Sequence, residues 1–392
     1  MLLKRKNLRD LLLSVGLLVS LAAASVFWFA TRNPQTDAQE VVVILAQETV
    51  VIQSATHTAV ITQSPPTPHP PPQISRVFKP RMEKTGFQAG VSILLYSDGG
   101  DFEKLSPLLL DRLAELNINS ISLVFPLFQA DWRSVEIYKD TQKTPSDENL
   151  KVFIREAHKR NFTVMLRPIL DEASLVKSGK WRGQLSPTDR STWFANYSAQ
   201  LVGYAELAEK EKVAILDIGT EFVSLESETA LWKELITKVR TKYAGQVTYS
   251  ANWDSQAPGF VHLLDFASID AYYPLDAPIG ASVASLSSSW TRWIDDIKAK
   301  GYEINKVVFT ELGTLPRQGS HQKPWNYLLD SPPDLQTQAR YYQATCAVFK
   351  PLIKGIYWWQ VDLALPKTND NQDLGYSPIG KPTEAVLSDC YR

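Results

Sequence analysis

Cysteine is scarce in this sequence, with two in 392 residues. Two thiols cannot build a disulfide scaffold or a four-thiolate zinc site. Histidine is nearly as sparse. His57, His69, His158, His262 and His321 are scattered and show no HExxH-like ligand spacing, so no metal site is expected. A charge excess of either sign is also lacking. Forty-one basic side chains face 42 acidic ones, which leaves no strong field to draw in nucleic acid. With 44% hydrophobic and 21% charged residues, the composition excludes a mostly disordered or collagen-like chain. The length fits one large domain or two small ones. Aromatic rings are abundant: 11 Trp, 15 Tyr and 15 Phe, about a tenth of the chain, suit a surface built for stacking.

The first eighty residues read as delivery rather than fold. Lys4, Arg5, Lys6 and Arg9 precede an uncharged run from Leu11 to Ala30. As a helix, such a run of about 20 residues spans about 30 Å, the thickness of a bilayer core. A cleaved signal peptide has a shorter apolar core, roughly 7–15 residues. An uncleaved signal anchor over residues 1–32 is therefore favoured, although small residues at 22–25 offer a cleavage site. The basic flank would stay in the cytoplasm and the rest would be exported. Trp28 and Phe29 stand where an interfacial aromatic belt would lie. Residues 33–80 are rich in Thr, Gln, Val and Pro, and run through Pro65-Pro66-Thr67-Pro68-His69-Pro70-Pro71-Pro72. They read as an extended, Pro-rich stalk.

Residues 81–392 alternate apolar strand-like runs with amphipathic segments. The strand candidates are 90–96, 120–125, 162–168, 214–219, 246–250, 266–272, 306–310 and 355–359. Near-continuous apolar runs are the pattern of parallel strands buried on both faces. Leu335, Ala339, Tyr342, Cys346 and Phe349 recur at helical spacing, and 149–160 and 229–243 look similar. The connection 251–265 is short, so its helix is expected to be vestigial. Eight βα repeats predict an α/β fold, the (β/α)8 TIM barrel. An open doubly wound sheet is the rival, weakened because no GxGxxG follows a strand.

In such a barrel, chemistry sits at the C-terminal ends of the strands. Those ends carry Arg167-Pro168, Asp217-Ile218-Gly219-Thr220-Glu221, Asn252-Trp253, Asp270-Ala271-Tyr272, Thr310-Glu311 and Trp358-Trp359. A Glu at an apolar rim is costly unless paired or used. One alone reads better as a salt-bridge partner. Two, on strands 4 and 7 and joined by Arg, Asn and aromatics, suit glycoside hydrolysis, which needs two carboxyl groups with different surroundings. Trp253, Tyr272, Trp358 and Trp359 fit sugar platforms, but strand alternation keeps Trp358 and Trp359 from both pointing inward. Trp193, Trp232, Trp290 and Trp293 lie in helical patterns and are assigned to packing.

Several blocks in order carry a resemblance: Thr144-Pro145-Ser146-Asp147-Glu148, Val164-Met165-Leu166-Arg167-Pro168, Trp181-Arg182-Gly183, Ile218-Gly219-Thr220-Glu221, Tyr249-Ser250-Ala251-Asn252-Trp253, Ile269-Asp270-Ala271-Tyr272-Tyr273-Pro274-Leu275, Thr310-Glu311-Leu312-Gly313, Pro324-Trp325 and Tyr376-Ser377-Pro378-Ile379-Gly380-Lys381-Pro382. Over roughly residues 86–390 the chain resembles glycoside hydrolase family 113, the β-1,4-mannanases of the large retaining (β/α)8 clan. The resemblance implies Glu221 as acid/base and Glu311 as nucleophile, with retention through a covalent glycosyl-enzyme. It implies that Tyr272 orients Glu311 and that Asn252 and Arg167 hydrogen-bond the sugar or the nucleophile. Trp359 would floor the −1 subsite, with Trp181 and Trp325 lining the cleft. It implies no metal and no cofactor. Ile169 departs from the pattern, since the family tends to have His there; that bears on substrate preference and subsite geometry more than on the catalytic step.

Cys346 and Cys390 are open to two readings, a disulfide pinning the C-terminus or buried free thiols. Asp370-Asn371-Gln372-Asp373 resembles part of a calcium loop but lacks its remaining ligands, and reads as a strand-8 loop. The sequence thus predicts an exported, monomeric hydrolase acting on a polysaccharide or oligosaccharide, tied to the membrane if its first helix is uncleaved. Two alternatives remain: the same mechanism on another β-glycan, and a non-catalytic glycan-binding envelope protein.

Overall fold

A computed structural model describes residues 86–365 and 373–392. The expected membrane helix and stalk (1–32 and 33–80) and most of the 370–373 loop lie outside the described residues. Among those described, no helix is long and apolar enough to cross a membrane.

Eight parallel strands close a barrel in sequence order. They are β1 (Gln88–Leu94), β2 (Ser120–Leu127), β3 (Thr163–Leu170), β4 (Ile215–Thr220), β5 (Gln246–Asn252), β6 (Ala267–Asp270), β7 (Val307–Leu312) and β8 (Gly355–Asp362). Closure comes from β1 pairing with β8, Gln88 opposite Gly355. The expected (β/α)8 barrel is observed, and the open-sheet alternative is excluded.

The helices of the ring are α1 (Phe102–Glu115), α2 (Asp147–Lys159), the single turn α3 (Ala173–Val176), α4 (Arg190–Lys210), α5 (Thr229–Arg240), α6 (Val283–Ala299), α7 (Leu335–Phe349) and α8 (Pro382–Tyr391). Their starts follow from capping. Asp101, Ser146, Asp189, Ser282 and Asp334 each accept a backbone N–H of the first turn, which satisfies a donor the helix leaves unpaired. Between β5 and β6 only a 3-10 turn, Val261–Leu263, stands where the ring would place a helix.

Strand alternation sorts the apolar residues into two sets. One set faces the helices. Trp193, Trp232 and Trp290 are fully buried there, as expected, while Trp293 is half-buried against Tyr273. Trp358 belongs to this set. It is fully enclosed and stacks on Tyr342 of α7 with ring centroids 3.6 Å apart, so it is not a platform for a ligand. The other set fills the barrel. At its lower end Met165, Ile215, Phe266, Val308 and Tyr357 form a closed apolar layer.

The two cysteines form a disulfide between α7 and α8, which settles the open question. Closing a loop of 44 residues contributes roughly 4 kcal/mol by restricting the unfolded chain. The helix so pinned has a structural task. Tyr391 Oη accepts from Gly90 N at 3.1 Å and lies 2.8 Å from Ile356 O, so it ties the last helix across the β1–β8 seam.

Candidate active site

Two residues beyond the apolar layer, the same strands turn polar. Met165 is followed by Arg167, Ile215 by Asp217 and Val308 by Thr310 on the same strand face. Arg167 is fully buried and meets three carboxylates: Nε lies 3.1 Å from Asp217 Oδ2, Nη2 2.8 Å from Asp270 Oδ2, and Nη1 2.9 Å from Glu311 Oε1. Arg167 Nη2 also reaches Asp270 Oδ1 at 3.0 Å. Ser250 Oγ lies 2.5 Å from Asp217 Oδ2 and 2.8 Å from Thr310 Oγ1, and Thr310 Oγ1 lies 3.0 Å from Asp270 Oδ1.

Thr310 and Glu311 are adjacent in sequence yet both reach this cluster. Plain alternation forbids that. A register slip resolves it: Ile269 pairs with Phe309, but Asp270 pairs with Glu311. Such an irregularity re-aims a side chain at a barrel rim. Tyr272, two residues past the observed end of the short β6, donates its hydroxyl to Glu311 Oε2 at 3.0 Å. Burial and the Glu311 carboxylate beside it hold the Tyr272 phenol well above its ordinary value, so it remains a donor.

Glu221 is held differently. Its backbone adopts a left-handed φ of 53°, a conformation costing roughly 1–3 kcal/mol for a non-glycine residue. The surroundings enforce it. Glu221 N donates to Ser250 O at 2.8 Å, and Phe222 N donates to Tyr249 Oη at 2.8 Å. Tyr249 in turn donates to Glu226 Oε1 at 2.9 Å. The Phe222 ring is locked edge-on against Trp193 and Tyr197. Glu221 Oε2 lies 3.8 Å from Arg182 Nε, whose closer partner is Glu172 Oε1 at 3.0 Å.

The two glutamates share one electrostatic neighbourhood. Burial works against the charge of Arg167, but Asp270, Glu311, Asp217 and Glu221 together raise it above its ordinary value. Arg182 is raised in the same way against burial, by Glu172, Glu221 and Glu311. Each guanidinium therefore feels both glutamates. Burial pushes Asp217 up to about 6, partly offset by Arg167, Ser250 and the Gly219 amide. It lifts Asp270 well above the carboxylate range; Arg167 pulls it back, while Glu311, Glu221 and Asp217 add to the rise.

Aromatic rings surround this mouth. Trp359 and Tyr272 pack with Val124 and Ile169, and Leu94, Tyr96, Trp253, Trp325 and Tyr376 join them. Trp253 and Trp325 stack on each other at 5.5 Å, both half-buried. Trp181 lies over Gly183, where any Cβ would fall 2.2 Å from the indole; glycine is what lets the Trp-Arg-Gly turn close. A Cβ on Gly313 would meet Trp359 O at 2.8 Å, so that glycine lets β7 and β8 approach beside the mouth. Asn252 is buried at the end of β5 with its amide donating to Asp254 Oδ1 at 2.5 Å. Ile169 is fully buried in this aromatic cluster.

Sequence reasoning brought Arg167, Tyr272 and Glu311 together, and the structure places them in direct contact. It gave no role to Asp217, Asp270, Glu172, Arg182, Tyr249 or Glu226. A signal existed for two of them: an aspartate inside an apolar strand must be paired or neutral. Among the described residues no three His, Cys, Asp or Glu side chains are grouped to hold a metal ion; the buried carboxylates turn to arginines instead.

An arrangement with one carboxylate clamped by a buried arginine and a tyrosine, and a second at the rim beside another arginine, can deliver both a nucleophile and a proton. Residues 97–381 match the family model of Glycoside Hydrolase Family 113. The GH113 β-mannanase of Alicyclobacillus acidocaldarius, solved in complex with ManMIm, is 26% identical; the match covers 78% of this chain and 97% of that one, with a TM-score of 0.68. Two structures described as GH113 β-1,4-mannanase, one of them a complex, are 25% identical, with 78% and 99% coverage and a TM-score of 0.69. No curated protein matches the chain. With the family model spanning the barrel from just past β1 to the start of α8, the chain belongs to Glycoside Hydrolase Family 113 and is a glycoside hydrolase.

Proposed function

We propose that the protein is a retaining β-mannanase in which Glu311 is the nucleophile and Glu221 the acid/base. The observation that carries the assignment is the way Glu311 is held. Glu311 receives Arg167 at 2.9 Å and the Tyr272 hydroxyl at 3.0 Å. Both contacts fix the direction of its carboxylate. Glu221 follows β4 at the rim, with Oε2 at 3.8 Å from Arg182 Nε, a place suited to exchanging a proton with a leaving oxygen and then with water.

In the first step Glu311 Oε attacks the anomeric carbon as the glycosidic C–O bond breaks, and Glu221 gives its proton to the departing oxygen. In the second, Glu221 takes a proton from water, which displaces Glu311 from the anomeric carbon. Trp359 would floor the subsite of the cleaved sugar. Asn252 and Arg167 would supply polar contacts, and Trp181, Trp253 and Trp325 apolar faces along the cleft. Mannan as substrate is supported by the β-mannanase structures to which the chain is similar.

The delivery of the domain belongs to the same proposal. The basic flank and 20-residue apolar run, the Pro-rich stalk and the disulfide together support a monomeric barrel held outside the cytoplasm, membrane-anchored or released. A second substrate reading, another β-glycan, is favoured by one observation: Ile169 gives the mouth an apolar wall where the family tends to have an imidazole.

The test is incubation of the full chain with mannan, glucomannan, xylan and cello-oligosaccharides, with products read by mass. Release of short manno-oligosaccharides is expected. Turnover of another glycan alone would keep the two-glutamate mechanism and discard mannan. No turnover with any of them would favour a glycan-binding protein.

A further inference from the structure

The chain has to turn sharply to bring Glu221 to the mouth. In β4, Asp217 meets Arg167 inside the barrel. Gly219 is two residues on, so plain alternation would face it inward as well. It faces outward: a Cβ there would fall 3.0 Å from the Tyr249 ring and 3.1 Å from the Phe222 ring, both of which pack with Trp232 on the helix side. The strand pairing explains the change of face. Asp217 is opposite Thr248 and Thr220 opposite Ser250, one residue more on β4 than on β5, which is a bulge. Ser250 points into the barrel, where its hydroxyl meets Asp217 and Thr310. Thr220 shares that inward face, so an extended chain would send Glu221, the next residue, toward the helices. The left-handed φ of 53° at Glu221 reverses this and brings its carboxylate beside Arg182.

The backbone after that turn hangs on one hydroxyl. Glu221 N continues the ladder to Ser250 O at 2.8 Å. Phe222 N, the next donor, leaves the ladder and goes to Tyr249 Oη at 2.8 Å. The same hydroxyl donates to Glu226 Oε1 at 2.9 Å, at the end of the 3-10 turn Val223–Leu225. One oxygen thus accepts from the residue after Glu221 and donates to a carboxyl further along, which ties the two ends of the turn together. The Tyr249 ring is buried edge-on against Trp232 and Phe260, with Gly219 alongside, so the hydroxyl is fixed in place. Tyr249 lies behind the site rather than in it.

We propose that Tyr249, braced by Glu226, is a positioning residue for Glu221: its hydroxyl holds the left-handed turn that aims the acid/base carboxylate into the mouth. The inference rests on the reading of Glu221 as acid/base. Tyr249→Phe keeps the ring and its packing but takes this partner from Phe222 N–H and from Glu226, so the turn relaxes toward an ordinary φ that carries the carboxylate away. Glu311, held by Arg167 and Tyr272, keeps its place.

The expected defect is selective. A sugar leaving group needs the proton of Glu221, whereas the 2,4-dinitrophenolate of a dinitrophenyl β-mannobioside departs as a stable anion without one. Tyr249→Phe should lower kcat/KM on manno-oligosaccharides about 30-fold and leave kcat/KM on the dinitrophenyl substrate within about threefold. A loss of folded protein would reduce both equally. Glu226→Leu should show the same selective loss, and Glu226→Gln, which keeps a carbonyl oxygen for the hydroxyl, should restore most of it. If Tyr249→Phe does not fold, the double variant with Glu226→Leu, which also removes the buried carboxyl, is read by the same ratio. Hydrogen exchange across 220–226, followed by mass on the full chain, should rise in Tyr249→Phe whatever the glycan. An equal loss on both substrates, no loss on either, or unchanged exchange would overturn the inference. Glu221→Ala keeps the two ideas apart. With the dinitrophenyl substrate and azide it should form a β-mannobiosyl azide, as azide displaces Glu311 from the anomeric carbon. No azide product and an equal loss on both substrates would reject the acid/base reading itself; azide product there, without a selective loss in Tyr249→Phe, would reject only the role of Tyr249.

Discussion

The barrel interior has a lower layer of Met165, Ile215, Phe266, Val308 and Tyr357 and an upper one of Arg167, Asp217, Asp270, Thr310 and Glu311. Several members of the two layers sit on the same strands, two residues apart. The lower layer buries only apolar side chains and gains their transfer from water. The upper layer buries charge, which is tolerable only because each group meets a partner. One layer therefore supplies stability that the other spends on holding the Glu311 carboxylate in place.

The largest effect expected from breaking this division is at Glu311. Glu311→Ala should lower kcat by at least about 10⁴-fold, measured by initial rates on manno-oligosaccharides, with melting temperature little changed. Arg167→Met should fail on both counts. It leaves the buried carboxylates uncompensated, costing about 3–5 kcal/mol in denaturant unfolding, and releases Glu311. Met165→Ala sharpens the contrast from below. It should cost about 2–5 kcal/mol, yet leave kcat within about twofold. Full activity loss in Met165→Ala, at a temperature where it stays folded, would show that the layers are not separable.

The smallest effect is a shift in pH dependence at Glu226, a carboxyl buried with Tyr249 rather than a cation. Burial pushes it up to about 7, which the Tyr249 hydroxyl only partly offsets. The folded state therefore binds a proton that the unfolded state has lost between about pH 4.5 and pH 7. Stability from this group is present at low pH and falls as pH rises through that window. Glu226→Gln should match wild type in urea melts at pH 4.5 and exceed it at pH 8.

The eight strands were legible because parallel strands buried on both faces read as apolar runs. The short 251–265 connection was legible from its length. Observed strand ends moved by a few residues, most at β8, which runs on to Asp362, while β6 stops at Asp270 where its pairing to β7 slips. That slip, which brings Thr310 and Glu311 to one cluster, leaves no trace in composition or spacing. Nor does the left-handed backbone at Glu221, which depends on Ser250 and Tyr249 from the neighbouring strand. The disulfide and the burial of Trp358 against Tyr342 likewise needed the helices docked. Arg167, Tyr272 and Glu311 could be named because each ends or follows a strand in a recognisable block, and their side chains do meet. Asp217 and Asp270 stood in the same blocks but make sense only once Arg167 is seen between them.

The central claim is that Glu311 attacks the anomeric carbon. Treating the full chain with a 2-deoxy-2-fluoro-β-mannosyl fluoride, digesting it and sequencing the labelled peptide by mass tests this directly. One fluoromannosyl group esterified to Glu311 is the predicted result. A label on Glu221 or elsewhere, or turnover of the reagent with no trapped ester and an inverted product, would contradict the account.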